Sequence, residues 1–220
     1  INGSQAALLA TTYGFPFEMT LEIAKDRGID VDEDGFREEM KKHKDLSRAG
    51  ADQKFKGGLA DHSETTTRLH TAHHLLLKAL QQVLGPHVKQ RGSNITSERL
   101  RIDFSHGEKM TPEQRAAVEE IVNTQIQAAL PVLRTTLPKS EAEALGAEHE
   151  FGAKYPDMVS VYSVGPSGAS EDTPQYDKAF SIELCGGPHV TNTAQLAGVF
   201  KIQKEESVAA GVRRIKALLV

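Results

Sequence analysis

Two histidines sit four residues apart in LHTAHHLLLKAL, His70 and His74. Far downstream a cysteine and a histidine have the same separation in IELCGGPHVTN, Cys185 and His189. Of all the residues in this 220-residue chain, these four are the best suited to chemistry. On a helix, residues i and i+4 lie on one face, so His70 and His74 can share a metal ion. Cys185 is the sole cysteine. The glycines that follow it, Gly186 and Gly187, are expected to let the chain turn sharply after a β-run, so that Cys185 and His189 converge. Three imidazoles and one thiolate suit Zn2+ in a tetrahedron. Four protein ligands fit a closed structural site, whereas a catalytic zinc keeps a position open or expands its coordination, so ligand count alone leaves both roles standing.

The elements that must carry these residues are legible in part. In ETTTRLHTAHHLLLKALQQVLG, Leu69, Ala72, Leu76, Leu80, Val83 and Leu84 recur at helical spacing, and Gly85 closes the helix. RLRIDFSH alternates, which predicts a strand with Leu100, Ile102 and Phe104 on one face. Thr111 followed by Pro112 opens a second long helix. MVSVYSVG, AFSIEL and GVFKIQKEES read as short strands, and SVAAGVRRIKALLV reads as a closing amphipathic helix from Ser207. Upstream, residues 15–47 read as helical, with Thr20 as an N-cap and Gly28 as a stop. A second helix there carries Phe36 and Met40 and ends at Gly50, and residues 50–63 read as a linker. The expected architecture is α+β: a mixed or antiparallel sheet with packed helices over residues 59–220, preceded by a helical linker segment over 1–58.

Composition narrows the class. A lone cysteine rules out an intrachain disulfide and points to a reducing, intracellular setting. No apolar run approaches the roughly 18 residues of a membrane helix. A net charge of −4 argues against a general nucleic-acid coat and leaves room for a local basic patch facing RNA. The first residue is Ile1 rather than Met, so a longer parent protein is expected.

Beyond the ligands, TTYGFPFEMT, VDEDGFREEMKKHK, HTAHHLL, HVKQRGSNITSERLRIDFSH, MTPEQ, CGGPHVTNT and ESVAAGVRRIKAL together cover nearly the whole chain. In these motifs the sequence resembles the alanyl-tRNA synthetase family, from the helices that join its two halves through its editing domain. The resemblance implies an editing fold of the synthetase second-additional-domain type. It implies a cytoplasmic deacylase that hydrolyses alanine tRNA wrongly charged with serine or glycine, within a longer chain that also holds the aminoacylation domain. The physical need for such a site is clear, since a pocket built for alanine discriminates against one added hydroxyl or one missing methyl by only about 1–3 kcal/mol.

By family correspondence His70, His74, Cys185 and His189 would hold Zn2+. Gln90 falls where the family has an editing-site glutamine, the expected catalytic and substrate-binding residue, with Thr71 and Ser93 lining the pocket. Asp103 is a candidate to orient a ligand histidine. Arg91, Arg99, Arg101, Lys201, Lys204, Arg213 and Arg214 are candidates for phosphate contacts with the acceptor end of alanine tRNA. Three departures stand out. His73 occupies a usual threonine position and is expected exposed or at the pocket edge. Pro188 replaces a threonine in C-G-G-x-H and is expected to alter pocket polarity. A β-barrel found between linker and editing domain in typical bacterial relatives is absent. Two other readings remain: a non-catalytic tRNA-binding module with a structural zinc, and a threonyl-type editing domain that requires no metal.

Overall fold

A computed structural model describes residues 1–12, 15–42, 58–149 and 155–220. The chain forms two compact units, Ile1–Lys54 and Phe55–Val220. In the first, α1 spans Gly3–Thr12, α2 spans Phe17–Asp26 and α3 covers 33–42. The rings of Phe17 and Phe36 stack at 3.7 Å between centroids, which ties α2 to α3. Thr20 is not the N-cap expected from the sequence. Pro16 holds an extended ψ of 139° and the helix starts directly behind it, so Thr20 lies inside α2 with its hydroxyl bonded back to the Pro16 carbonyl. The expected helix end at Gly50 and the linker over 50–57 fall outside the described residues.

The second unit is built on two long helices. Helix α4, Glu64–Leu84, starts where the Ser63 hydroxyl accepts from the Thr66 amide and ends at Gly85. Helix α5, Pro112–Gln127, starts in a complete capping box, with Thr111 and Gln114 each satisfying the other's backbone N–H. Both pack on a four-stranded antiparallel sheet whose order is β1 (Gln90–Ile95), β2 (Leu100–Ser105), β7 (Val212–Leu219), β6 (Phe200–Ala209). Leu76 and Leu80 of α4 and Val118 of α5 meet Leu100, Ile102 and Phe104 of β2 and Ile215 of β7 in a fully buried core. Burying each large aliphatic side chain there is worth about 1.5–3 kcal/mol.

The closing amphipathic helix expected from Ser207 is instead the hairpin β6–β7. Gly211 sits at φ 70°, in the left-handed region, and turns the chain where a helix would have to continue. Beyond the turn the burial alternates, with Arg213, Ile215 and Ala217 inward, and β7 pairs with both β2 and β6. A three-stranded antiparallel sheet completes the unit in the order β3 (Val132–Pro138), β4 (Met158–Val164), β5 (Ser181–Leu184). Strand β3 and the short helix α6, Lys139–Ala144, had no counterpart in the sequence reading. A smaller core of Ala142, Val159, Val161 and Leu184 fills the space between α6 and this sheet.

The arrangement places Cys185 directly after β5. The loop that follows is pinned at its far end by a 3-10 turn, Thr193–Leu196, where the Thr193 hydroxyl donates to the Gln125 carbonyl and accepts from the Leu130 amide. Among the described residues no helix is long and apolar enough to cross a membrane.

Candidate metal centre

One ligand atom each from His70, His74, Cys185 and His189 lie within 4.8 Å of one another. The Nε2 atoms of His70 and His189 each lie 3.4 Å from the Cys185 sulfur. With metal–ligand bonds of about 2.0–2.3 Å, the edges of a zinc tetrahedron are about 3.3–3.8 Å, so the two distances to sulfur match that spacing, within a group that spans up to 4.8 Å.

Two of the imidazoles are held by a hydrogen bond at Nδ1, the nitrogen opposite the one nearest the cysteine sulfur. His70 Nδ1 donates to the Pro188 carbonyl at 3.0 Å, which leaves Nε2 bare for a metal. Pro188 therefore serves through its carbonyl, and the amide donor that proline lacks is not the group used. His189 Nδ1 lies 3.1 Å from the Thr71 hydroxyl, which accepts from the Val190 amide as well and can donate to the Thr67 carbonyl. Thr71 was expected in the pocket wall; it is fully buried and orients His189 from behind. The His189 ring also lies against His70 and Tyr162, at 4.0 and 4.3 Å between centroids.

The glycines act differently from expectation. Neither Gly186 nor Gly187 has a positive φ. A Cβ on Gly187 would stand 2.4 Å from His70 Cε1, so this glycine is needed for close approach of the loop to the ligand ring, while Gly186 faces open space.

Burial sets the charge of the centre. It pushes His70 down to about 4, against the opposing hydrogen bond to Pro188. Burial, then the charges of His189, His70 and His73, hold His74 well below its ordinary value, and burial with His70 and His73 does the same to His189. All three are thus neutral at pH 7, the form that binds metal.

The cluster opens into a cavity of about 210 Å³, lined also by His73, Leu77, Gln90, Ser93, Ile95, His149, Tyr155 and Glu183. Gln90 and Ser93 share this wall because of a β-bulge. Gln90 pairs with Phe104 and Gly92 with Asp103, so Arg91 is an extra residue, and two positions three apart come to one face. Ile95 follows on that face two residues later.

His73, expected exposed or at the pocket edge, is 2% exposed and lines the cavity. Its Nε2 has no hydrogen-bond partner among the described residues, an arrangement that costs about 1–3 kcal/mol. Burial and then His70 push it down to about 3, so it is neutral. Asp103 does not support a ligand histidine. It takes a bidentate pair from Arg214 at 2.7 and 2.8 Å, with Arg101 at 3.6 Å. The carboxylate beside a ligand is Glu183, which the sequence reading missed, 3.3 Å from His74 Nε2. Burial, then Glu148, pushes it up to about 8 against the pull of Lys78.

The candidate phosphate-binding cations are engaged within the fold. Arg99 donates to Asn94, Lys201 to Glu119 and Lys204 to Glu206, and Arg213 is buried against Glu205. Arg213 accordingly faces the core side of β7 rather than solvent.

The chain matches two sequence families, "tRNA synthetases class II (A)" over residues 1–98 and "Threonyl and Alanyl tRNA synthetase second additional domain" over residues 159–216. It is 54% identical over all 220 residues to an alanine–tRNA ligase of Borreliella burgdorferi, covering 35% of that protein. It is 53% identical over 219 residues to that of Treponema denticola, covering 34%. A third alanine–tRNA ligase, of Halalkalibacterium halodurans, is 48% identical over 149 residues, 68% of this chain. The chain spans about a third of the length of the first two relatives. It belongs to the alanyl-tRNA synthetase family and carries that family's second additional domain.

Proposed function

We propose that residues 59–220 form an editing domain that hydrolyses alanine tRNA mischarged with serine or glycine. Residues 1–58 would be the helical linker to an aminoacylation domain in the complete, cytoplasmic protein, whose overall reaction is the ligation of alanine to tRNA. The observation that carries this reading is a group of four candidate metal donors, three of which (His70, His74 and Cys185) line the same cavity as Gln90 and Ser93.

The donor set fits Zn2+, with His70, His74, Cys185 and His189 as the residues that would hold it. A zinc ion bound there would supply Lewis-acid polarisation of an ester carbonyl or of water. The chain's own residues do the rest. The 3′ end of the tRNA would bring a small aminoacyl group into a cavity of matching size. Gln90, whose amide both donates and accepts, would orient water toward the ester. Pro188 and Thr71 fix the two ligand rings, so the site is preorganised before substrate arrives. The four-ligand set also suits a second reading, a structural zinc in a tRNA-binding module.

Deacylation of serine-, glycine- and alanine-charged alanine tRNA separates the two. Release of serine and glycine but not alanine, with a drop of at least about 100-fold in Gln90→Ala, supports editing. tRNA binding with no release of any amino acid supports the second reading.

A further inference from the structure

We propose that the outer face of the four-stranded sheet binds the phosphate backbone of the tRNA acceptor stem, through a row of cations made by Arg101, Lys216 and Lys204. The inference rests on tRNA being the partner of this chain, and it holds whether a zinc in the proposed site is catalytic or structural.

Strand alternation buries Leu100, Ile102 and Phe104 of β2 and Ile215 and Ala217 of β7 in the core, and so turns their neighbours outward. The register then sets the row. Lys204 of β6 is the partner of Lys216 of β7, and Lys216 is the partner of Arg101 of β2. Three cations thus stand side by side across three strands, about 10 Å from first to last. Arg101 is in turn the partner of Asn94 on β1, the strand that lends Gln90 and Ser93 to the cavity wall. The row therefore ends one strand away from the wall of the site that the tRNA end would enter.

Like charges directly opposite one another in a sheet destabilise it, and here two such pairs adjoin. The carboxylates on this face do not balance them. Glu206 is shared by Lys204 at 2.5 Å and Lys216 at 3.6 Å, while Asp103 is held by the bidentate Arg214, with Arg101 at 3.6 Å. Four cations therefore meet two carboxylates, in a chain whose net charge is −4. Burial, then the adjacent Arg214 and Arg99, hold the Arg101 guanidinium below its ordinary value against the pull of Asp103. The lysine heads are open to solvent, with Lys204 61% and Lys216 38% exposed. Ion pairs on such a surface are worth about 0–1 kcal/mol each, so a phosphate displaces them at little cost. The outward positions around the row, Asn94, Asp103, Glu206 and Arg214, carry no aromatic ring on which an unpaired base could stack. Such a surface reads backbone charge rather than base identity, which fits the paired stem better than the single-stranded end.

A binding titration of the complete synthetase carrying this chain tests this, across about 50–200 mM salt. The probe is alanine tRNA that carries serine through a hydrolysis-resistant amide. Lys204→Gln combined with Lys216→Gln is expected to weaken binding at least about tenfold at the lowest salt, and to make the salt dependence shallower by about one unit of slope for each lysine. Glu206→Gln, which frees both lysines, is expected to tighten binding by about twofold or more. Lys139→Gln, on the helix that packs against the other sheet, is expected to change neither affinity nor slope. Unchanged affinity and slope in the double lysine variant, an equal loss in Lys139→Gln, or weaker binding in Glu206→Gln overturns the proposal and leaves the editing reading intact. Loss of binding by the double variant of an enzyme that releases no serine from ester-linked tRNA supports the proposal and overturns the editing reading.

Discussion

At the residue scale, the centre is defined as much by what stands behind the ligands as by the ligands. His70 and His189 each spend one ring nitrogen on an oxygen, the Pro188 carbonyl and the Thr71 hydroxyl, and so present the other to the cluster. Thr71→Val removes the hydroxyl and keeps the shape. It is expected to weaken zinc affinity about 10–100-fold, measured by competition with a chelating dye, with little loss of fold. Cys185→Ala removes the thiolate itself and is expected to leave the chain folded but without stoichiometric zinc, checked by elemental analysis beside a circular dichroism spectrum. The four candidate donors were legible as a group in the sequence because metal binding demands rare residue types at fixed spacing, and the fold brings them within 4.8 Å of one another. Tyr162 and Glu183 were not, and Thr71 reads from the sequence as a pocket-wall residue rather than as the support of His189, because these roles arise only where α4, β4 and the loop after β5 meet.

At the element scale, the loop after β5 has to press against α4 for the two donor pairs to close. Gly187 permits this and Gly186 does not take part. The pair makes a sharp prediction: Gly187→Ala should cost at least tenfold in zinc affinity, while Gly186→Ala should leave it within about twofold, since only the first inserts a methyl against a ligand ring. The core beneath obeys ordinary packing, and Leu76→Ala in α4 is expected to destabilise by about 2–5 kcal/mol in a denaturant titration. Elements with a single strong signal were readable before the structure: α4 and α5 by periodicity and caps, β2 by strict alternation. The hairpin β6–β7 was misread because Val208, Ala209, Val212 and Ile215 also fit a helical stripe, and only pairing with β2 fixed the alternative. Strand β3 escaped because it lies at the edge of its sheet, and polar Thr135 stands on its inward face between Leu133 and Leu137, which breaks the apolar series.

At the scale of the whole molecule, three buried histidines and the half-buried His189, all neutral, link stability to pH. His70, His73, His74 and His189 all have values lowered from 6.5 in the fold. A histidine with a lowered folded value adds stability that is complete above 6.5 and is lost as pH falls, because the unfolded chain takes up protons first. For His70 and His73, lowered to about 4 and about 3, the loss by pH 5 is about 2 kcal/mol each. The metal-free protein should therefore melt several degrees lower at pH 5 than at pH 7.5 by scanning calorimetry. A midpoint that is flat across this window would mean that the cluster is hydrated rather than buried. Zinc should raise the midpoint at pH 7.5 and lose this effect toward pH 5, as protons compete for the same nitrogens.

In the proposed function, the His70, His74, Cys185 and His189 cluster is the working centre of a proofreading pocket. This role is tested most directly by measuring single-turnover release of serine from mischarged alanine tRNA while zinc is withdrawn and restored in one protein sample. The rate is expected to rise and fall in proportion to zinc occupancy, with alanine-charged tRNA untouched throughout. Full serine release from zinc-free, folded protein would contradict it, and so would a fully zinc-loaded protein that releases no serine.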